Sequence, residues 1–307
     1  MNADATLPSA AVAVITRTRL RPLLLPRARA SVTSQGFDDV VWIVVNDGGD
    51  PRPVDTEVAL AQADGLRAVA VHRQQSSGME AASNAGIRAC TSRYIVIHDD
   101  DDSWEPGFLS RTLAALECAK NSLGIVTHST TIVEQFFGEK VIQIGRRPQN
   151  PFPAVYLADL ARRNLFPPIS FVFRREIFDA VGGFEENFPV LGDWRFNLKV
   201  AIRGDILVLP ERLANYHVRT NVGAHRRAYA NSVAAERALH EQQDAMFRNE
   251  LLRRDIASGT FGLGWIVALA RFQRGRRHRP DWPLPWHQSA VGWCLAAASR
   301  MSKARRS

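Results

Sequence analysis

Short apolar runs at residues 11–16, 40–45, 68–71 and 94–98 alternate with segments whose apolar positions recur at helical spacing, at 23–35, 56–64 and 78–90. Brief β-branched runs bounded by polar loops predict buried strands, and the longer periodic segments predict helices. Pro26 falls near the start of the first helix, where its missing N–H is tolerated. Residues 17–22 read as a basic loop, and 46–51 as the turn ending the second strand. This alternation predicts an α/β fold, a mostly parallel sheet flanked by helices. In such sheets ligands bind beyond the carboxyl ends of the strands. Further on, the pattern predicts a helix at 109–120, strands within 124–143 turning at Gly138, and a short helix at 157–163. It then predicts a strand at 170–173, a helix at 175–181 stopped by Gly182 and Gly183, and an amphipathic helix at 191–202. Two strands at 206–209 and 213–218 and a long polar helix at 232–254 complete the series.

The polar positions say most at one junction: Asp99, Asp100, Asp101 and Asp102 follow the fourth apolar run directly. Carboxylates crowded beside a core repel one another and resist desolvation. A raised pKa, full solvation or a bound cation relieves them. In extended chain, Asp99 and Asp101 would share a side and can hold a divalent metal that in turn holds phosphate oxygens. A solvated turn is the plain alternative.

The 307 residues are 46% hydrophobic, enough for a sizeable core. The formal charge of +8 favours anionic partners. The surplus gathers near the C-terminus, in Arg271, Arg274, Arg276, Arg277, Arg279, Arg300, Lys303, Arg305 and Arg306, with Asp281 as the only acid. Cys90, Cys118 and Cys294 are odd in number and lack metal-type spacing, which fits a reducing compartment. The first residues lack a basic n-region, and no run approaches the ~20 apolar residues of a membrane span. The expected location is cytoplasmic, at most peripheral at the inner face of a membrane. Trp265, Leu269 and Phe272 share a helical face near Arg271 and Arg274. That face suits either an anionic bilayer or packing on the main domain.

Four motifs, in order over residues 12–219, resemble glycosyltransferase family 2, the inverting enzymes of the GT-A fold. They are Val12-Ala13-Val14-Ile15 leading to Thr18 and Arg21-Pro22; Val44-Val45-Asn46-Asp47-Gly48-Gly49-Asp50; Gly78 and Ala81–Gly86 followed by the acids, Trp104 and Pro106; and Val181-Gly182-Gly183-Phe184-Glu185 followed by Asp193-Trp194. The resemblance implies a Rossmann-like GT-A domain over 1–255 and a helical basic C-terminal extension over 256–307. It implies that Thr16, Thr18, Asp47, Arg73, Gly78, Asp99 and Asp100 bind a nucleotide-sugar donor. Asp99 and Asp101 match the "D-x-D" element holding a divalent metal, Mn²⁺ or Mg²⁺, and Asp193 matches the catalytic base. The chain departs from the pattern where Asn46 replaces an Asp, and where Arg17 and Arg19 stand in place of Pro and Tyr. Ser83 replaces an Arg, Gly192 replaces the Glu before Asp193, and Arg219 stands where many members have a His, with His217 out of register.

Sugar transfer places negative charge on the leaving diphosphate, which a cation at Asp101 would stabilise as a Lewis acid. The acceptor hydroxyl needs a base, the part given to Asp193, whose plain alternative is a helix N-cap. Asp47 either accepts a pyrimidine N–H, favouring UDP- or dTDP-linked donors, or closes a turn with Gly48. His98 and His217 read as structural or as neighbours of the metal site, and Trp104 and Trp194 as packing residues or as a wall for a sugar ring. The expected acceptor is a glycan or lipid-linked glycan in surface polysaccharide assembly. Two rivals stand beside this reading: a nucleotidyltransferase, which would want glycines in the loop at 17–19, and a basic nucleic-acid-binding protein, for which no module is visible.

Overall fold

The computed structural model describes residues 7–220, 222–231 and 237–276, with 271–276 described by backbone alone. Cys294 and the basic residues from Arg277 onward lie outside the described residues, as do the side chains of Arg271, Phe272, Arg274 and Arg276. Two units form: one comprises Met1–Leu157 and Asn164–His240, the other Ala158–Arg163 and the chain from Glu241.

The first unit opens with strict alternation. Strands β1 (Val12–Thr18), β2 (Val40–Asp47), β3 (Arg67–Arg73) and β4 (Tyr94–Ile97) are interleaved with helices α1 (Leu25–Thr33), α2 (Arg52–Ala63) and α3 (Met79–Arg88). After them come β5 (Ser103–Trp104), α4 (Phe108–Cys118), β6 (Gly124–Phe137) and β7 (Lys140–Pro148), and then α5 (Leu157–Arg162), which from Ala158 on belongs to the second unit. The remainder is β8 (Phe171–Arg174), α6 (Arg175–Ala180), α7 (Gly192–Arg203) and β9 (Ile206–Arg219). The sheet order is β3-β2-β1-β4-β8-β6-β9-β5, with β7 paired to β6. Strands β3, β2, β1 and β4 are parallel, and β6 runs parallel to β9. Strand β8 lies antiparallel between β4 and β6, and β5 and β7 are antiparallel additions. The result is a curled, mostly parallel α/β sheet.

Every residue of β1, β2 and β4 is buried, as their unbroken apolar runs predict for strands covered on both faces. Each buried Val, Leu or Ile contributes about 1.5–3 kcal/mol. Helix α3 packs close because residue 86 lacks a side chain: a Cβ on Gly86 would lie 2.5 Å from Ile15 Cγ2 and 2.8 Å from Val45 Cγ2. Register then sets the functional edge. Ile15 pairs with Ile97, Thr18 with Asn46, and Asp47 with Arg73, so the strands end level and release their polar loops together.

Two elements differ from the sequence expectation. The strands predicted at 206–209 and 213–218 are one strand, β9. Its register against β6 jumps from Leu209 to Arg212 and again to Ala214, so a bulge absorbs Pro210, which has no N–H for the ladder. The two-residue β5 is too short to leave a periodic trace.

In the second unit, helices α8 (Arg237–Ser258) and α9 (Leu263–Arg276) pack together. A Cβ on Gly264 would lie 2.3 Å from the Leu251 carbonyl oxygen. Asp255 Oδ2 accepts the N–H groups of Gly262 and Trp265 at 3.0 and 3.1 Å, capping α9. The buried Arg248 donates to the carbonyls of Ala161 and Val267, both at 2.9 Å. Among the described side chains of α9, Val267 and Ala270 are buried, and Trp265 and Leu269 stay part-exposed. Among the described residues, no helix is long and apolar enough to cross a membrane.

Candidate active site

The acids leave β4 as a turn, closed by the Asp102 N–H on the Asp99 carbonyl at 3.2 Å, not as extended chain. Asp99 and Asp101 nonetheless line one cleft of about 240 Å³, with Arg19, Arg21, Met79, Tyr216, Ala228, Ala230 and Asn231. Each acid meets a guanidinium or a buried donor. Arg17 donates to both Asp99 oxygens, at 2.6 and 3.2 Å. Thr18 Oγ1 donates to Asp100 Oδ2 at 2.6 Å, and Arg21 Nη2 lies 2.8 Å from Asp100 Oδ1, close but not aligned as a hydrogen bond. Asp101 Oδ2 accepts from Arg21 at 3.2 Å and from Arg219. Asp102 turns inward, where its Oδ1 accepts the His217 N–H at 2.8 Å and its Oδ2 has no partner.

Burial divides the cluster. It pushes Asp100 up to about 7 against the pull of Arg21, and holds Asp102 well above the ordinary value, with Asp101 and Asp99 adding repulsion. Burial acts on Asp101 too, but Arg21 and Arg219 outweigh it and keep its pKa below the ordinary value. Asp101 therefore keeps its charge at the cleft, held by Arg21 and Arg219.

The second motif builds a loop. Asp47 accepts from Arg73 Nη1 at 2.9 Å, Ser76 Oγ at 2.6 Å, and the N–H groups of Ser77 and Gly78, each at 3.3 Å. The structure thus joins Asp47, Arg73 and Gly78, with the Asp47 oxygens already engaged. Gly78 has φ 98°, a left-handed value that favours glycine and lets α3 start here. Asn46 both donates to Gly49 O at 2.8 Å and accepts from Gly49 N at 2.9 Å, closing a turn that an Asp in its place could only half close. Thr16 differs from its expected donor contact: it is wholly buried, and its Oγ1 accepts the Trp42 indole N–H at 2.8 Å. Thr18 and Asp100 are likewise buried and bonded to each other behind the cleft.

Asp193 stands in the first turn of α7, part-exposed, with Asn164 Nδ2 donating to its Oδ2 at 2.7 Å. Burial of its carboxyl raises its pKa, despite the pull of Arg17. Next to it lies a residue that sequence reasoning missed. A Cβ on Gly192 would sit 2.1 Å from Glu80 Oε1 and 2.2 Å from Glu80 Cγ. The buried Glu80 of α3 therefore fills the space vacated at residue 192, where the family motif carries Glu. The sequence showed one half of this, the Glu missing at residue 192; that Glu80 reaches the same space is visible only in the fold.

The third and fourth motifs meet through Asn84, which accepts the Phe184 N–H at 3.0 Å and donates to the Phe184 carbonyl at 2.8 Å. A Cβ on Gly183 would lie 2.9 Å from Asn84 Oδ1, so this approach needs glycine. Glu185, the last residue of the fourth motif's first part, is held by Arg195 at 2.7 Å and by Lys199 at 3.3 Å.

Residues 12–182 match the glycosyl transferase family 2 pattern, more than half of the chain.

This chain belongs to glycosyltransferase family 2.

A Bacillus subtilis glycosyltransferase, YwdF, is 24% identical over 221 residues, 69% of this chain and 78% of that protein. A Mycobacterium tuberculosis PGL/p-HBAD biosynthesis glycosyltransferase is 25% identical over 57% of this chain and 64% of its own length. Among solved structures, Staphylococcus aureus TarS 1–349 in complex with UDP-GlcNAc aligns with TM-score 0.59 at 15% identity, covering 87% of this chain and 72% of that one. The Pyrobaculum calidifontis mannosyltransferase PcManGT, solved with GDP-Man and Mn²⁺, aligns with TM-score 0.53 at 16% identity over 97% and 83% of the two chains. At these identities the neighbours establish the GT-A fold.

The family and the Mn²⁺-bearing neighbour point to a divalent metal, and the donor set here tests it. Mg²⁺ wants near-octahedral oxygen ligands at about 2.0–2.1 Å. Both Asp99 oxygens are taken by Arg17, and Asp101 Oδ2 is shared by two arginines. Among the described residues, no group of three or more His, Cys, Asp or Glu is placed to hold an ion. As arranged, Asp101 and Asp99 do not fit the Mn²⁺ or Mg²⁺ expected from sequence. His98 is wholly buried between Ser31 Oγ at 2.9 Å and the Asp99 carbonyl at 3.0 Å, and burial lowers its pKa to about 4. His217 bonds Glu134 at 2.8 Å and Ser103 at 2.9 Å, so both histidines are tied into the protein. Trp104 stacks on Phe108 and donates to the Ile169 carbonyl at 2.8 Å, and Trp194 is buried, so both pack.

Proposed function

We propose that this glycosyltransferase moves a sugar from a nucleotide-diphosphate donor to an acceptor hydroxyl with inversion, Asp193 acting as the general base. The carrying observation is the Asp193 carboxylate: part-exposed, oriented by Asn164, and within electrostatic reach of Arg17 and Asp99. The likeness to TarS and PcManGT, each solved with a nucleotide sugar, supports the donor class. A uracil or thymine base is favoured, with Asp47 holding the 73–78 loop as a wall for the ring. The acceptor oxygen attacks C1 from the face opposite the diphosphate and passes its proton to Asp193. The C1–O bond breaks with its electron pair going to the leaving phosphate. A raised pKa brings the base closer to neutrality, where proton transfer is efficient.

The expected acceptor is a glycan or lipid-linked glycan, consistent with the likeness to the PGL/p-HBAD biosynthesis glycosyltransferase. For such an acceptor the basic extension beyond residue 255 would serve as a peripheral membrane contact. The test is release of UDP or dTDP from their sugars by the full chain, with the product anomer read by NMR. Asp193→Asn should lower kcat ~10²–10⁴-fold with the donor KM held. Full turnover by that variant overturns the base assignment, and release of pyrophosphate instead points to nucleotidyl transfer.

A further inference from the structure

We propose that arginines take the place of the divalent ion in this enzyme. Arg219 occupies the position at Asp101 where an ion would be held, and Arg21 and Arg19 face the cleft to receive the diphosphate. This rests on the nucleotide-sugar reading above.

Three observations carry it. Arg219, at the end of β9, is wholly buried and tied in three directions: to Asp101, to the Tyr229 carbonyl at 2.6 Å, and with Nη1 3.6 Å from Glu134 Oε2. An incoming ion would have to displace a guanidinium that has no solvent to move into. The cleft acids also already have cationic partners: Arg17, Arg21 and Arg219 face Asp99, Asp100 and Asp101, which weakens their pull on a doubly charged cation.

The third observation is what lines the cleft. Arg19 is exposed there and pairs with no acid among the described residues, beside the part-buried Arg21. Between them Leu20 has φ 56°, unfavourable for a residue with a branched side chain, and the bend lets both arginines line one cleft. Guanidinium forks match phosphate oxygens, and fixed charges at the developing anion stabilise it without reorganisation. As C1 parts from the diphosphate, the electron pair left on oxygen is met by Arg21 and Arg19.

The experiment titrates UDP, GDP and dTDP into the full chain by calorimetry, in EDTA and in excess Mn²⁺, with Mn²⁺ binding to the nucleotide-free protein followed by electron paramagnetic resonance. The expected result is that at least one diphosphate binds with affinities within about threefold in the two media, and that the free Mn²⁺ signal is undiminished by protein. Arg19→Ala, at an exposed position, should weaken binding in EDTA about tenfold and flatten its salt dependence. Arg219→His should release Asp101, supply a ligand that metals accept, and make bound Mn²⁺ visible. Binding of a diphosphate only in Mn²⁺, or stoichiometric Mn²⁺ uptake by the unaltered protein, overturns the arginine assignment and leaves the transferase reading standing. A folded Arg219→His protein that takes up no Mn²⁺ removes Arg219 from the role. Failure of all three diphosphates to bind in either medium overturns the donor reading and this inference with it.

Discussion

Gly192→Ala tests the contact between α7 and α3 on which the neighbourhood of Asp193 depends. The added methyl carbon would lie 2.1 Å from Glu80 Oε1, 2.2 Å from Cγ and 2.4 Å from Cδ, against ordinary contact from 3.4 Å. Glu80 must therefore move by more than an ångström, and at 3% exposure it has little room. Residue 192 is the first residue of α7 and not among the glycines with left-handed φ, so backbone strain adds nothing. Overpacking of this kind costs about 1–3 kcal/mol. Replacing glycine by alanine in helical backbone returns about 0.5–1 kcal/mol. The net expectation is a loss of roughly 0–2.5 kcal/mol.

The same geometry fixes the result in a second background. Glu80→Ala deletes every atom that the new methyl would strike, so Gly192→Ala should there be neutral or slightly stabilising. A four-protein urea-unfolding cycle should then give a coupling of about 1–3 kcal/mol in the direction of relief. If Gly192→Ala costs the same with and without Glu80, to within about 0.5 kcal/mol, the steric account of this junction is wrong.

Two further outcomes follow from the acids and from the second loop. Asp100, at about 7 folded against 3.8 free, binds its proton more tightly in the native state. Its contribution to stability is therefore full below pH 3.8 and is lost as pH rises through about 7. Asp100→Asn should flatten the fall in unfolding free energy over that window, and an unchanged slope would place the titration elsewhere. Asn46→Asp restores the residue common in the family motif but loses the donation to Gly49 O at 2.8 Å. It should lower stability by about 1 kcal/mol, readable in urea, and a stabilised variant would show that the turn does not need the amide.

The repeated strand and helix signals of the first hundred residues were legible because fully buried strands must be apolar throughout and helices must repeat with their own period. That the acids and Asp47 stand where strands end at one sheet edge was legible for a related reason: polar residues directly after apolar runs mark strand ends. Bulged β9 and short β5 left no such signature, because Pro210 breaks the one and length hides the other. What each acid does was not legible, since a carboxylate's charge depends on which cation reaches it. Arg17, Arg21 and Arg219 come from the far end of β1, the loop after it and the end of β9, and only their meeting at the acids decides the electrostatics. Glu80 and Gly192 make the same point in volume. The sequence showed only that residue 192 lacks the motif's Glu, and packing brought Glu80 from α3 to that place, because close-packed interiors let a side chain from one element occupy the space another leaves empty.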